Sequence, residues 1–203
     1  MTALRDLAEQ AASCTRCDLY RRATATVFGE GRPGATLVLV GEQPGDAEDK
    51  QGHPFVGPAG KLLDRALAEA GIDRQDAYVT NAVKHFKWEP KGKRRIHQRP
   101  NGSEIAACRH WLEGELAAVS PRVVVLLGAT AGVPFFGSRF RVGEHRGQVE
   151  EAGLASWHGL AVTTIHPSAV LRAPGPEGRE AALQGLIADL KRAGEAAARP
   201  SAA

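Results

Sequence analysis

The chain has no apolar run near the roughly 20 residues that a membrane-spanning helix needs. Its opening, MTALRDLAEQ, carries acids and no continuous apolar core. It does not read as a secretion signal, so the expected location is the cytoplasm, with no membrane partner. There are only three cysteines, too few for a complete disulfide framework, and two of them form Cys14-x-x-Cys17. That pattern points to metal or redox use. GxxxxGK[ST] does not occur, and the GxGxxG string at Gly29–Gly34 precedes the first apolar run instead of following a strand, which ranks nucleotide-cofactor binding low. Internal repeats are absent. Net charge is small as well, +3 from 26 basic and 23 acidic residues.

What is present fits one globular domain. With 203 residues, 43% apolar and 24% charged, the chain is long enough for a sizeable core. The domain is expected over residues 1–194, and the Ala-rich stretch 195–203 reads as a disordered tail. The small net charge hides a local excess. From Lys84 to Arg99 seven basic residues face one acid, Glu89, so +6 sits in that window and about −3 in the remainder. A polyanion at one face is the expected partner. With so little charge elsewhere, a monomer with a modest footprint is expected.

Apolar periodicity alternates between strand and helix. Residues 3–12 carry a short amphipathic helix. Leu37–Val40, Ala77–Val83, Arg122–Leu127 and Leu160–Ile165 are β-rich apolar runs, each followed by a helical stretch. The helices are expected at 59–70, at 104–119 with Ser103 as N-cap, at 129–136, after Pro167 and at 181–193. Lys84–Gly102 has no apolar period and reads as a long functional loop. This order implies an α/β fold, a three-layer α/β/α sandwich around a small four-stranded parallel sheet.

In such a sheet, ligands sit outside the carboxyl ends of the strands. The first strand ends in Gly41, Glu42, Gln43 and Asp46, the second in Asn81, and the fourth in His166. Each alone has a bland reading: solvated loop acids, a turn amide, a capping histidine. Together with Phe55 they place an acid, an amide, an imidazole and a flat apolar face on one rim. That set suits a planar heterocycle with hydrogen-bonding edges.

GEQPGD…PFVGPAG after the first strand, TNAVK at the second and HPSAVLR at the fourth resemble the uracil-DNA glycosylase superfamily, in its iron–sulfur branch of families four and five. The resemblance spans Cys14 to about Leu190. It implies that Phe55 stacks on a flipped-out uracil, that Asn81 reads the pyrimidine edge, and that His166 stabilises the departing uracil anion. Gly41 and Asp46 belong to the same pocket. Ser168, Leu171 and Arg172 would contact phosphate or wedge the duplex. The partner implied is uracil-containing DNA, single- or double-stranded.

The same resemblance gives the cysteines a use. Family-four enzymes hold a [4Fe–4S] cluster with four cysteines. Cys14, Cys17 and Cys108 fall on three of those positions, and His85 stands at the fourth. Three thiolates and an imidazole suit such a cluster, and they also suit structural zinc.

Lys93-Arg94-Arg95-Ile96-His97 departs from ordinary family-four sequences. With GEQPGD and a histidine among the cluster ligands, it resembles the UdgX-type branch, which becomes covalently joined to the DNA it deglycosylates. Lys84, Lys93, Arg94 and Arg95 are expected to grip phosphate. His97, flanked by cations that favour its neutral form, is the expected nucleophile toward C1′ of the deoxyribose, with Glu42 orienting it and Gln43 holding the loop. Two alternatives accompany this expectation: a conventional hydrolytic enzyme in which Glu42 activates water, and a non-catalytic iron–sulfur DNA-binding protein.

Overall fold

A computed structural model gives the arrangement of residues 3–199. In chain order the elements are α1 (Ala3–Ala11), β1 (Glu30–Gly31), β2 (Leu37–Gly41), α2 (Asp46–Gln51), α3 (Pro58–Glu69), β3 (Ala77–Asn81), β4 (Trp88–Lys91) and β5 (Arg94–His97). Then follow α4 (Gly102–Val119), β6 (Val123–Leu127), α5 (Ala129–Phe136), α6 (Val142–His145), β7 (Val149–Leu154), β8 (Trp157–Thr164), α7 (Pro167–Arg172) and α8 (Gly175–Ala198). No described helix is long and apolar enough to cross a membrane.

The main sheet has the order β1-β3-β2-β6-β8-β7. Its four central strands are parallel and are the four apolar runs of the sequence. β2, β3 and β6 are buried along their whole length, which removes the alternation a one-sided strand would show. The expected four-stranded sheet is corrected to six, because β1 and β7 add antiparallel edges. Neither edge announces itself: β1 has two exposed residues, and β7 (VEEAGL) is broken by two acids and a glycine and has one fully buried residue.

Both faces are covered. Leu63, Ala66 and Leu67 of α3, Val170 of α7 and Leu183, Leu186, Ile187 and Leu190 of α8 pack on Leu37, Leu39, Val125 and Val162. On the opposite face, Leu112, Leu116 and Val119 of α4 and Ala131 of α5 pack on Val38, Val40, Val124 and Leu126. The three-layer sandwich therefore holds.

Three local expectations are corrected. α4 is capped by Asn101 rather than Ser103: its side chain accepts from Glu104 N–H at 2.9 Å, and Glu104 Oε2 accepts from Asn101 N–H at 2.7 Å. The segment after Lys84 is a β-hairpin, β4 against β5, with Lys91 opposite Arg94 across a two-residue turn. Residues 195–198, expected to be disordered, continue α8, where Ala196 packs into the core and alanine's helix propensity supports the last turn. Residues 200–203 of the expected tail lie outside the described residues.

Candidate active site

β3 lies on one side of β2 and β6 on the other, so the chain changes direction across the sheet at the β2–β6 boundary. A cavity of about 770 Å³ opens there, lined by the ends of β2 (Glu42, Gln43), β3 (Asn81), β6 (Leu127, Gly128) and β8 (Ile165, His166), together with Phe55, His97 and Arg99.

Phe55 is held on a loop with φ of +58°, a left-handed conformation costly for a side-chain-bearing residue. Two tertiary contacts enforce it. Glu48, nearly buried, accepts from Gly45 N–H at 3.0 Å and from Gly57 N–H at 2.7 Å, clasping the loop at both ends. Gly60 lets α3 close against the loop, since a Cβ there would overlap the Phe55 carbonyl. Gly41 has a parallel role: a Cβ would strike Asn81 Oδ1 and the Phe55 ring. Gly41 thus makes room for the aromatic face and the amide to meet, and Asn81, in register with Gly41, is buried.

His166 faces Phe55 with ring centroids 6.3 Å apart. Its Nδ1 accepts from Ser168 N–H at 3.1 Å, with Ser168 Oγ at 2.8 Å. The lone pair is therefore on Nδ1 and the ring proton on Nε2. Burial pushes the His166 imidazolium down to about 4, only partly countered by the Glu42 charge, so a neutral ring presents an N–H donor at neutral pH.

The hairpin brings His97 to the same cavity. Its Nε2 lies 3.2 Å from Glu42 Oε1, and Glu42 Oε2 accepts from the Thr130 hydroxyl. Burial raises the Glu42 carboxyl, but the hydrogen bonds from His97 and Thr130 outweigh it and leave the group below the usual carboxylate range. Gln43, largely buried, accepts from Lys87 N–H at 3.0 Å and donates to the carbonyls of Lys87 and Gln98 at 3.2 and 3.0 Å, fastening the base of the hairpin.

Three residues expected elsewhere are differently placed. Lys84 is not on the DNA face. It is fully buried, and its Nζ lies 2.6 Å from Glu115 and 2.8 Å from the Asn81 carbonyl. Arg95 does not reach outward for phosphate: it is clamped by Asp46 and by Asp49 (2.6 Å), tying β5 to α2. Asp46, expected in the uracil pocket, is spent on Lys50 and Arg95 and does not line the cavity. Lys93 and Arg94 are exposed at the hairpin tip. Arg172 lines the cavity mouth, next to Leu171, which is 43% exposed.

Cys14 and Cys17 pack against Cys108 in a third apolar cluster, under α1 and α4. Burial pushes the Cys108 thiol up to about 11, so ligation through it would release a proton. His85, also buried, has its Nε2 2.8 Å from Thr26 Oγ1. Among the described residues no three His, Cys, Asp or Glu side chains converge closely enough to hold a metal ion. In donor chemistry and neighbourhood the three thiols nevertheless fit a thiolate-bound group, and His85 could ligate through Nδ1 while Nε2 keeps its bond to Thr26.

The model of the uracil DNA glycosylase superfamily matches residues 28–191, most of the chain. The chain belongs to that superfamily. It is 39% identical over 184 residues to a type-4 uracil-DNA glycosylase of Thermotoga maritima, covering 89% of each chain. It is 36% identical to the type-4 enzyme of Archaeoglobus fulgidus, covering 86% of each. A shorter match, 35% over 94 residues, joins it to a type-5 uracil-DNA glycosylase of Pyrobaculum aerophilum, covering 43% of this chain and 38% of that one. Within this superfamily member, Thr130, Arg99 and Glu48 are site residues that sequence reasoning did not assign. Arg99 carried a signal as part of the basic window, and Glu48 as one of the acids in the loop after the first strand.

Proposed function

We propose that the protein excises uracil from DNA and is then captured by its own product, with His97 bonded to C1′ of the deoxyribose. Excision rests on the superfamily membership and on the pocket chemistry: a flat apolar floor at Phe55, a buried amide at Asn81, and a neutral imidazole donor at His166. As the C1′–N1 bond breaks, its electron pair leaves with uracil, and His166 Nε2–H hydrogen-bonds the oxygen on which charge collects. A ring-nitrogen lone pair of His97 forms the new bond to C1′. The imidazolium so formed passes its remaining N–H proton toward Glu42. No water enters that balance, and the carbon–nitrogen bond has no easy hydrolytic exit.

The single observation that carries this reading is the Glu42–His97 contact at 3.2 Å inside the cavity. It turns an acid at the rim toward an imidazole, in the way a carboxylate supports a catalytic histidine. Leu171 and Arg172 would hold the opened strand, and Lys93, Arg94 and Ser168 its phosphates. Single-stranded DNA suits so narrow a band of cations. We assign Cys14, Cys17, Cys108 and His85 to a [4Fe–4S] cluster, which when bound supplies a cross-link between the N-terminal segment and α4 and takes no part in the reaction.

The test is a denaturing gel of the protein with a uracil-containing single-stranded oligonucleotide. A denaturation-resistant protein–DNA band that is lost in His97→Ala is the expected result. Free abasic product from the wild type, with no such band, would establish the hydrolytic alternative. No uracil release at all would leave only a binding protein.

A further inference from the structure

Glu42 has two oxygens, and His97 approaches only one of them. The other accepts the proton of Thr130 Oγ1. Thr130 is 1% exposed, so this hydroxyl is out of reach of bulk water. A threonine hydroxyl has one proton to give, and here it goes to Glu42, so its oxygen is left to accept. It does so from Arg99 Nε at 3.2 Å, and Arg99 Nε itself stands 3.9 Å from Glu42 Oε2. The direction of the chain is fixed: Arg99 donates to Thr130, Thr130 to Glu42. Thr130 sits at the start of α5, just past β6, and Glu42 just past β2, so the bond spans the boundary where the sheet reverses order.

We propose that Thr130, backed by Arg99, is a positioning residue for Glu42, and that the position it fixes makes histidine rather than water the group that captures C1′. The inference rests on the covalent reading of His97. For water to take C1′, its oxygen must bond to carbon while its proton passes to a carboxylate oxygen free to receive it. Thr130 occupies Oε2 on the β6 side, and the carboxylate plane it sets turns Oε1 to the His97 ring. Removing the hydroxyl while keeping the side chain's volume frees Oε2 to rotate and bind water. The same loss takes away one of the two hydrogen bonds that hold the Glu42 carboxyl below its usual range.

The experiment compares wild type, Thr130→Val and Thr130→Ser on a uracil-containing single-stranded oligonucleotide across pH. It measures uracil release and, separately, the ratio of free abasic product to covalent adduct. In the valine variant the ratio of free product to adduct rises at least tenfold, and the acidic limb of uracil release moves to higher pH. Serine restores both, which a merely structural role for the threonine would not require. A valine variant with wild-type ratio and wild-type limb overturns the inference, as does failure of serine to restore them. If the wild type itself makes no adduct, the His97 reading falls, and the acidic limb still decides the Thr130–Glu42 link: an upward shift supports it and an unmoved limb overturns it.

Discussion

Lys84 and Glu115 face each other with no exposure to water on either side chain, 2.6 Å apart, and Thr80 and Tyr78 complete the acid's hydrogen bonds. Breaking such a pair leaves a buried charge, which costs several kcal/mol. Here the lysine also holds the backbone carbonyl of Asn81, so the pair steadies the floor of the pocket. His166 is the other residue where burial sets chemistry. An unfolded histidine takes up a proton near pH 6.5, whereas the folded ring resists it down to about 4. The unfolded state then binds more protons across that window, so stability falls as pH drops from about 6.5 to about 4 and levels off below. The full effect is of order 3 kcal/mol. Urea unfolding of wild type and His166→Gln at pH 7.5 and 4.5 checks this. The wild type should lose stability more steeply than the variant, and equal losses would contradict it. Residues at strand ends were legible because an apolar run followed by a polar residue marks the rim. Thr130 was not, since its role comes from an acid 88 positions away across the sheet. Nor was the burial of Lys84, which depends on Glu115 on a helix not adjacent in sequence.

Elements divide in the same way. The central strands carry their signal in themselves, β2 and β6 as unbroken valine and leucine runs and β3 and β8 as shorter apolar stretches. The β4–β5 hairpin does not: five of its eight strand residues are charged or proline, and its turn is Gly-Lys rather than Asn-Gly. It holds its place through contacts made elsewhere. Gln43 fastens its base, Arg95 locks it to Asp46 and Asp49, and Trp88 Nε1 donates to the Arg22 carbonyl at 2.9 Å. A loop reading was therefore natural, and only the packing makes it a rigid arm that delivers His97. The N-terminal segment is tied down more weakly, through α1 on α4 and the Trp111 Nε1 bond to Cys14 Sγ at 3.3 Å. A cluster held by Cys14, Cys17, His85 and Cys108 would lock that junction. Metal analysis of protein purified without oxygen should return iron in cluster stoichiometry, and bleaching the cluster with an oxidant should lower the Tm. Zinc in place of iron, or an unchanged Tm, would contradict the assignment.

On the scale of the molecule, the sheet's change of direction creates the crevice, and two neighbouring arms furnish it. Phe55 and Glu42 come from the β2–α3 side, and His97 comes from the hairpin beyond β3. The exposed cations Lys93 and Arg94 ride on the same arm that carries the histidine. In the proposed reading, gripping the DNA backbone and presenting the nucleophile fall to one arm, which would shorten the life of the oxocarbenium-like sugar before capture. Such an architecture should act once. With uracil-containing single-stranded DNA in large excess, uracil release should stop after about one equivalent per protein molecule, with an equal amount of protein bonded to DNA. Continued release through many equivalents, with the protein recovered unmodified, would contradict the covalent role of His97.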